Sequence, residues 1–536
     1  MTRKSCFHKT LRNSSEYKTQ LPPHSRKGQG GNVSGHGGAH TAAPSKPARE
    51  DEGAGNPYGH AKQTGRAAAG KDAGRFLLGR AAWPAGEALF PPLTEAVCRE
   101  LEGFIKVLHA VRPLSAAHRR FLPDDVAALS RILTSERTNL AHPYWSRPGF
   151  ISAYLYYFLP WNLVRLARLL SVLPLPSAAE SGERSLLIDI GSGPLTLPIA
   201  LWLARPDLRE APIRVLAQDK AIQPLAFGRA LFEALGQMQG SSVWQIETIH
   251  SPLYSLPRQV RMLCDDGVKG GACRPWLVTA ANVLNEYCGG RPQKMRGGDF
   301  DDCDADGVHG NSLTGEHGSV AMDAALEDVL EAVLSVLADS ASSVSEEESG
   351  AEHSVPAALF IEPGTRLGGK IIMRMRGLAI QAGQNVVAPC THSASCPLRE
   401  GRGGRTWCHY TFDAVGAPSW LQKLSAEAGL SKRALSLAPL LLSTQVAPQS
   451  HVRDADLPAR VISSPFAVPA LAGKARYACT HEGLVLLEDA VALASGDRLP
   501  ISIPADAKRD AKSRVPVIPA PRVAKRKTFS ERHPRG

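Results

Sequence analysis

The chain has 536 residues, of which 43% are hydrophobic and 21% charged. That is apolar material for roughly two to four compact units, and too much for a wholly disordered protein. No run approaches the roughly 18 consecutive apolar residues of a membrane-spanning helix; the richest stretch, 150–173, is broken by Pro160, Trp161, Asn162 and two arginines. A soluble protein without a membrane partner is expected.

The formal net charge of +11 is unevenly spread: residues 1–75 carry +8 and residues 506–536 carry +7, which leaves the body slightly acidic. Basic ends on such a body suit tethering to a polyanion such as RNA, or simply two solvated tails. Residues 1–75 are rich in Gly, Ser, His and Lys and are expected to be a disordered basic tail. Twelve glycines there argue against an amphipathic targeting helix. Ten cysteines are too few for a disulfide scaffold. A reducing compartment follows, bacterial cytoplasm or, as the alternative, the mitochondrial matrix.

Residues 86–180 read as a helical N-terminal region. Val97, Leu101, Phe104, Ile105 and Leu108 recur at helical spacing after Thr94, and Pro123-Asp124-Asp125 reads as a cap before a helix over 126–133. The aromatic run from Tyr154 to Trp161 has apolar neighbours, so a buried helix end is expected rather than a base-stacking platform.

Across 181–383 short apolar runs alternate with helical patterns, which predicts a parallel α/β sheet. Strands are expected over 185–190, 214–219, 243–249, 276–281 and 357–361, and helices over 195–204, 221–235 and 321–338. An acidic, glycine-rich stretch over 289–319 lacks the glycine and terminal glutamate of a calcium loop and reads as a solvated insertion; 340–353 reads likewise. A Cys-containing, β-rich segment follows over 384–490, and then a Pro/Lys/Arg tail over 491–536.

The first strand ends in Asp189-Ile190-Gly191-Ser192-Gly193 and a helix follows. Glycines there let the backbone turn tightly against a ligand beside a helix N-terminus. Thr196 stands where a dinucleotide site has its third glycine, which weighs against NAD and suits S-adenosylmethionine, a cofactor with no pyrophosphate. Asp219, closing the second strand, is placed to accept ribose hydroxyls. After the fourth strand, Asn282 or Asn285 could contact the cofactor and Glu286 could act as a base or orienting group; Asn285-Glu286 could equally cap the next helix. No Asn/Asp-Pro-Pro-aromatic motif for amino-group methylation appears, and the target atom is unreadable.

Cys390, Cys396 and Cys408 cluster within nineteen residues, and Cys479 lies in a later expected hairpin. Such a set suits zinc, an iron–sulfur cluster, or ordinary buried thiols. The paired knuckles of a zinc ribbon are missing, and the irregular spacing with Cys396-Pro397 leans toward [4Fe–4S]. His392 and His409 are alternate ligands or polar neighbours.

Glu362-Pro-Gly-Thr365, Arg374-x-Arg376, Val387-Ala-Pro-Cys390-x-His392, Cys396-Pro397 and Trp407-Cys408-His409-Tyr410 resemble the Rsm-type small-ribosomal-subunit methyltransferase-like family. The likeness runs over about residues 115–490; the acidic insertion, the long basic N-terminus and Tyr410, where the family often has Phe, depart from it. It implies a Rossmann-like S-adenosylmethionine-dependent methyltransferase fold and a [4Fe–4S] cluster on Cys390, Cys396, Cys408 and Cys479. It also implies association with small-subunit ribosomal RNA and ribosomal proteins. The function expected is that of an S-adenosylmethionine-dependent methyltransferase-like protein acting on, or bound to, small-subunit ribosomal RNA, in its modification or in subunit assembly and translation. The rival is a non-catalytic assembly factor using cofactor and cluster structurally, and a weaker one is a zinc-stabilised RNA-binding module.

Overall fold

The computed structural model describes residues 88–134, 144–178, 184–240, 244–265, 273–289, 316–341, 355–399, 407–444, 457–471 and 473–521. The basic tail 1–75, nearly all of the acidic insertion and of the polar break at 340–353, and Cys6 and Cys303 lie outside these residues.

Four helices come first: α1 (Glu95–Val111), α2 (Ala116–Thr134), α3 (Pro148–Ala153) and α4 (Leu159–Leu170). The Thr94 hydroxyl accepts the Val97 N–H and caps α1. The expected cap at Pro123 is corrected. The Ser115 hydroxyl accepts the His118 N–H, so α2 starts at Ala116 and Pro123 lies inside it. A local serine cap thus outweighs a proline that removes only one ladder donor.

The aromatic run winds as a π-turn, Tyr154–Phe158, between α3 and α4. Its polar tips find partners: the Tyr156 hydroxyl donates to Arg112 O (2.8 Å), the Tyr157 hydroxyl to Leu430 O (3.1 Å), and the Trp161 indole to the Ser425 hydroxyl (3.0 Å). These bonds and rings within the core make the run structural.

The main sheet is built from β1 (Arg184–Ile190), α5 (Thr196–Ala204), β2 (Ile213–Asp219), α6 (Ile222–Gln239), β3 (Gln245–His250), α7 (Leu256–Asp265), β4 (Cys273–Ala281), α8 (Leu284–Gly289), α9 (Glu316–Ala341), β5 (Ala357–Pro363), α10 (Arg366–Gln381), β6 (Asn385–Ala388), β7 (Tyr410–Asp413), α11 (Ser419–Glu427) and β8 (Ala434–Ser443). Its order is β3-β2-β1-β4-β5-β8-β6, with β7 also on β8. The first five strands are parallel, and β8 runs antiparallel to β5, β6 and β7. Each expected strand and helix of this sheet is present, with ends moved by a few residues. The chain reverses from β1 outward in both directions, so the carboxyl ends of β1 and β4 flank a crevice.

Alternation along each strand divides the core. Leu187, Val215, Leu277 and Leu359 face a layer containing α1, α4, α5 and α6, whereas Leu186, Ile188, Val278 and Ala280 face α7, α9 and α10. Both faces are covered, which is why the central strands read as continuous apolar runs.

A second sheet holds β9 (Leu457–Val461), β10 (Phe466–Ala467), β11 (Lys474–Thr480), β12 (Gly483–Glu488), β13 (Arg498–Ile501) and β14 (Val517–Pro519), ordered β13-β9-β11-β12-β14 with β10 on β11. Two expectations are corrected here. The segment over 384–490 is divided between the sheets, because β6, β7 and β8 extend the main one. The segment over 491–536 is not all tail: Leu499, Ile501 and Ile518 are buried in the second core, and Pro500 and Pro519 sit on its terminal strands, where a missing ladder donor is tolerated. Among the described residues no helix is long and apolar enough to cross a membrane.

Candidate functional site

β1 runs into a turn in which Gly191, Gly193 and Leu195 all have positive φ (62°, 55° and 56°). The first two are glycines because side chains strain this conformation. A Cβ on Gly191 would stand 2.3 Å from Val283 Cγ2, whereas one on Gly193 would meet nothing within 4 Å. Gly191 is therefore packed against the β4–α8 connection, and Gly193 faces open space.

Asp219 pins this turn. Its carboxylate accepts the Gly193 N–H (2.9 Å) and the Ala221 N–H (2.8 Å), so it joins the turn to the start of α6. Burial holds its pKa above the usual carboxylate range, against the pull of these two bonds. Gln218, unremarked in the sequence, accepts the Gly191 N–H through its side chain (3.3 Å) and donates to Ser251 O.

Asp189 lies underneath, 1% exposed, with the Ser192 and Thr279 hydroxyls each donating to its carboxylate at 2.6 Å. Burial pushes its pKa up to about 7, the two hydroxyls oppose the rise, and the charge of Asp219 adds to it. The geometry thus has Asp189 brace the turn from below.

The opposite wall follows β4. Asn282 has φ 59° and donates its N–H to Ile361 O (2.7 Å); asparagine tolerates this conformation better than most side chains. Asn285 Oδ1 is buried and has no hydrogen-bond partner among the described residues. Glu286 is exposed and pairs with Lys220 at 2.8 Å. Tyr154 and Tyr287 complete the wall: burial raises both hydroxyls, and the charges of Glu286 and Asp219 raise them further. Tyr154 packs its ring on Trp145, centroids 4.8 Å apart. The open face of Gly193, the unpartnered Asn285 oxygen and the half-buried Asp219 suit a polar nucleoside-type cofactor such as S-adenosylmethionine. These residues would hold it.

The Glu362-Pro-Gly-Thr365 motif links the crevice to the cysteines. Glu362 is fully buried and accepts the Leu284 N–H at 2.8 Å, which caps α8. Thr365 caps α10 through the Gly368 N–H. A Cβ on Gly369 would stand 2.6 Å from Cys408 O, so the cysteine segment rests directly on α10. From the same helix, buried Arg376 donates to His392 O and Ala394 O, both at 2.8 Å, and fixes the loop between Cys390 and Cys396.

Cys390, Cys396, Cys408 and Cys479 are half-buried and free. Cys408 precedes β7, Cys479 is on β11, and His392 Nε2 lies 3.7 Å from Cys479 Sγ. Burial, then the charges of its cysteine neighbours, raises the thiols of Cys396, Cys408 and Cys479. Burial also lowers His392 to about 4, helped by Arg376 and His481. The fold thus brings all four sulfurs within electrostatic reach of one another. Among the described residues, however, no three His, Cys, Asp or Glu side chains stand at metal-holding geometry. The expected iron–sulfur or zinc cage is not preformed.

The strand order, crossovers and glycine turn define a Rossmann-like α/β domain. Residues 332–462 match the family described as mitochondrial small ribosomal subunit Rsm22, and this span holds the Glu362, Arg376, Cys390, Cys396 and Cys408 segments that carried the resemblance. It covers about a quarter of the chain and stops short of Cys479. No curated protein matches. Solved structures with a similar chain path include YjhP from E. coli, at 11% identity over 53% of this chain and 91% of that one, with a TM-score of 0.21. Another is the Listeria monocytogenes protein lmo1582, provisionally described as a class I S-adenosylmethionine-dependent methyltransferase (9% identity, 67% and 90% coverage, TM-score 0.26). A third is the CurJ carbon methyltransferase (10%, 66% and 67%, 0.22).

Proposed function

We propose that the chain is an S-adenosylmethionine-dependent methyltransferase-like protein of the small ribosomal subunit, acting on its RNA or in its assembly. The observation that carries the cofactor is the turn at Gly191–Gly193, locked by Asp219 and with open space beside Gly193. The cofactor would supply a methyl group on a sulfonium centre. The chain's part is to hold it and to aim that methyl at a nucleophile, catalysis by positioning. The ribosomal link rests on the family of residues 332–462, whose description also makes the mitochondrial matrix the compartment proposed.

The four cysteines suit a thiolate-held centre in kind, and they lie within electrostatic reach of one another, although among the described residues no three of them stand at metal-holding geometry. A cation among them would bind them as thiolates and tie β7, β11 and the loop on α10. Iron–sulfur and zinc remain the two candidates, told apart by iron, sulfide and zinc analysis with a visible spectrum.

Calorimetric titration with S-adenosylmethionine tests the cofactor. Binding is expected for the natural chain and a loss of tenfold or more in Gly191→Ala, whose new methyl would meet Val283. A chain that does not bind overturns the reading. Transfer of a labelled methyl group to small-subunit RNA then separates an enzyme from an assembly factor, which would bind cofactor and subunit and leave the RNA unmarked.

A further inference from the structure

Cys264, near the end of α7, and Cys273, which opens β4, stand at the amino-terminal edge of the parallel sheet. Asn282 is at the other end of β4, about 30 Å away at the ~3.3 Å per residue of a parallel strand. The two sulfurs are 3.5 Å apart and nine positions apart in sequence. A covalent S–S bond is about 2.05 Å, so closure needs about 1.5 Å of side-chain movement. Neither thiol belongs to the Cys390 group, and nothing in the proposed cofactor chemistry uses them.

Their surroundings differ from those of the other thiols. Arg214, on β2, places Nη1 3.9 Å from Cys273 Sγ, and Glu247 on β3 holds that guanidinium at 2.6 Å. Cys273 is 5% exposed, whereas Cys264 is half-buried and within reach of a small reagent. The contact with Cys264 is the chief cause that brings the Cys273 thiol down to about 7; burial opposes the shift and Arg214 supports it. Cys98 and Cys288 are instead pushed up by burial.

We propose that Cys264 and Cys273 are a reactive dithiol that closes to a disulfide by exchange with a small-molecule disulfide. Cys264 gives its proton to the Cys273 thiolate as its sulfur attacks the reagent RSSR, which forms a mixed disulfide and releases RS⁻. The Cys273 sulfur then attacks Cys264 Sγ. The Cys264–SR bond breaks, RS leaves with the Cys273 proton as RSH, and the Cys264–Cys273 bond remains. The two cysteine sulfurs are oxidised and the reagent is reduced to two thiols. Closure ties α7 to β4 and gives the domain a redox-responsive link remote from the crevice.

The test equilibrates the full chain with reduced and oxidised glutathione in varied ratio, then quenches with acid, alkylates and maps peptides by mass. The expected result is a Cys264–Cys273 linked pair, two hydrogens lighter, that dithiothreitol reopens. Cys273→Ser should trap glutathione on Cys264, and Arg214→Met should slow closure on the order of tenfold, since thiolate fraction sets exchange rates. The proposal is overturned if both thiols of the natural chain alkylate separately at every ratio, or if either pairs with another cysteine. It also fails if glutathione in Cys273→Ser settles elsewhere than Cys264. The natural-chain map needs no variant, so a variant that folds poorly does not blunt the test.

Discussion

At the residue scale, Asp189 shows how burial turns an acid into a brace. Its pKa is about 7 in the folded chain and, fully buried, it keeps its proton where an unfolded chain has lost it. The folded state therefore binds more protons between about pH 4 and 7. The associated stability is complete below pH 4 and is lost as pH rises through 7, a swing on the order of 4 kcal/mol. Asparagine is neutral throughout and has no such swing. Asp189→Asn should thus gain stability over the natural chain steadily from pH 4 to 8 in urea unfolding. Asp219 shifts in the same direction in both proteins, and because its charge is one cause of the Asp189 shift, the swing belongs to the two carboxyl groups together. A difference that does not change with pH would contradict this account.

At the element scale, α10 matters most, because it carries the cap that follows Glu362 and the arginine that holds the cysteine loop. Arg376→Ala would remove two charge-assisted bonds to the His392 and Ala394 carbonyls at a part-buried site, a cost on the order of 1–3 kcal/mol. The expected outcome is a lowered Tm, together with faster alkylation of Cys390 and Cys396 and unchanged alkylation of Cys98. A Tm loss without the selective thiol exposure would make Arg376 a core residue and nothing more.

Much at this scale was legible in the sequence. The buried runs of β1, β2, β4 and β5 and the turn after β1 stand out because parallel strands covered on both faces leave no polar alternation. What was missed depends on distant partners. β8 reads as one more apolar run, and only its pairing with β5 shows that it closes the main sheet. Gln218 and Glu362 were visible as residues, yet their work as acceptors for Gly191 and Leu284 comes from strands that adjoin only in three dimensions. Asp189 precedes the glycines in sequence, yet its side chain lies below them since alternation turns it inward.

At the scale of the whole molecule, the carboxyl-terminal region does two separable things. β14 pairs with β12 through Leu486↔Val517 and Leu487↔Ile518, and β12 pairs with β11, which carries Cys479. Ile518 is buried in the same small core as Val485 and Leu487. Residues 522–536 lie beyond that strand and carry six Lys/Arg against one Glu. A chain ending at residue 521 should therefore keep its Tm and lose only the electrostatic part of the proposed attraction to RNA. With up to about five net positive charges gone, the slope of log affinity against log salt should flatten, by roughly 0.7 for each lost contact to a single strand. A chain ending at residue 504 removes β14 as well, uncovers the second core and frees β12. Its Tm should fall by several degrees and Cys479 should become open to alkylation, while affinity for S-adenosylmethionine, proposed to rest on the turn at Gly191 and on Asp219, should be unchanged. Equal Tm values for the two truncations would show that β14 does not support the second sheet, and an unchanged salt slope for the shorter cut would remove the terminal charges from the RNA contact.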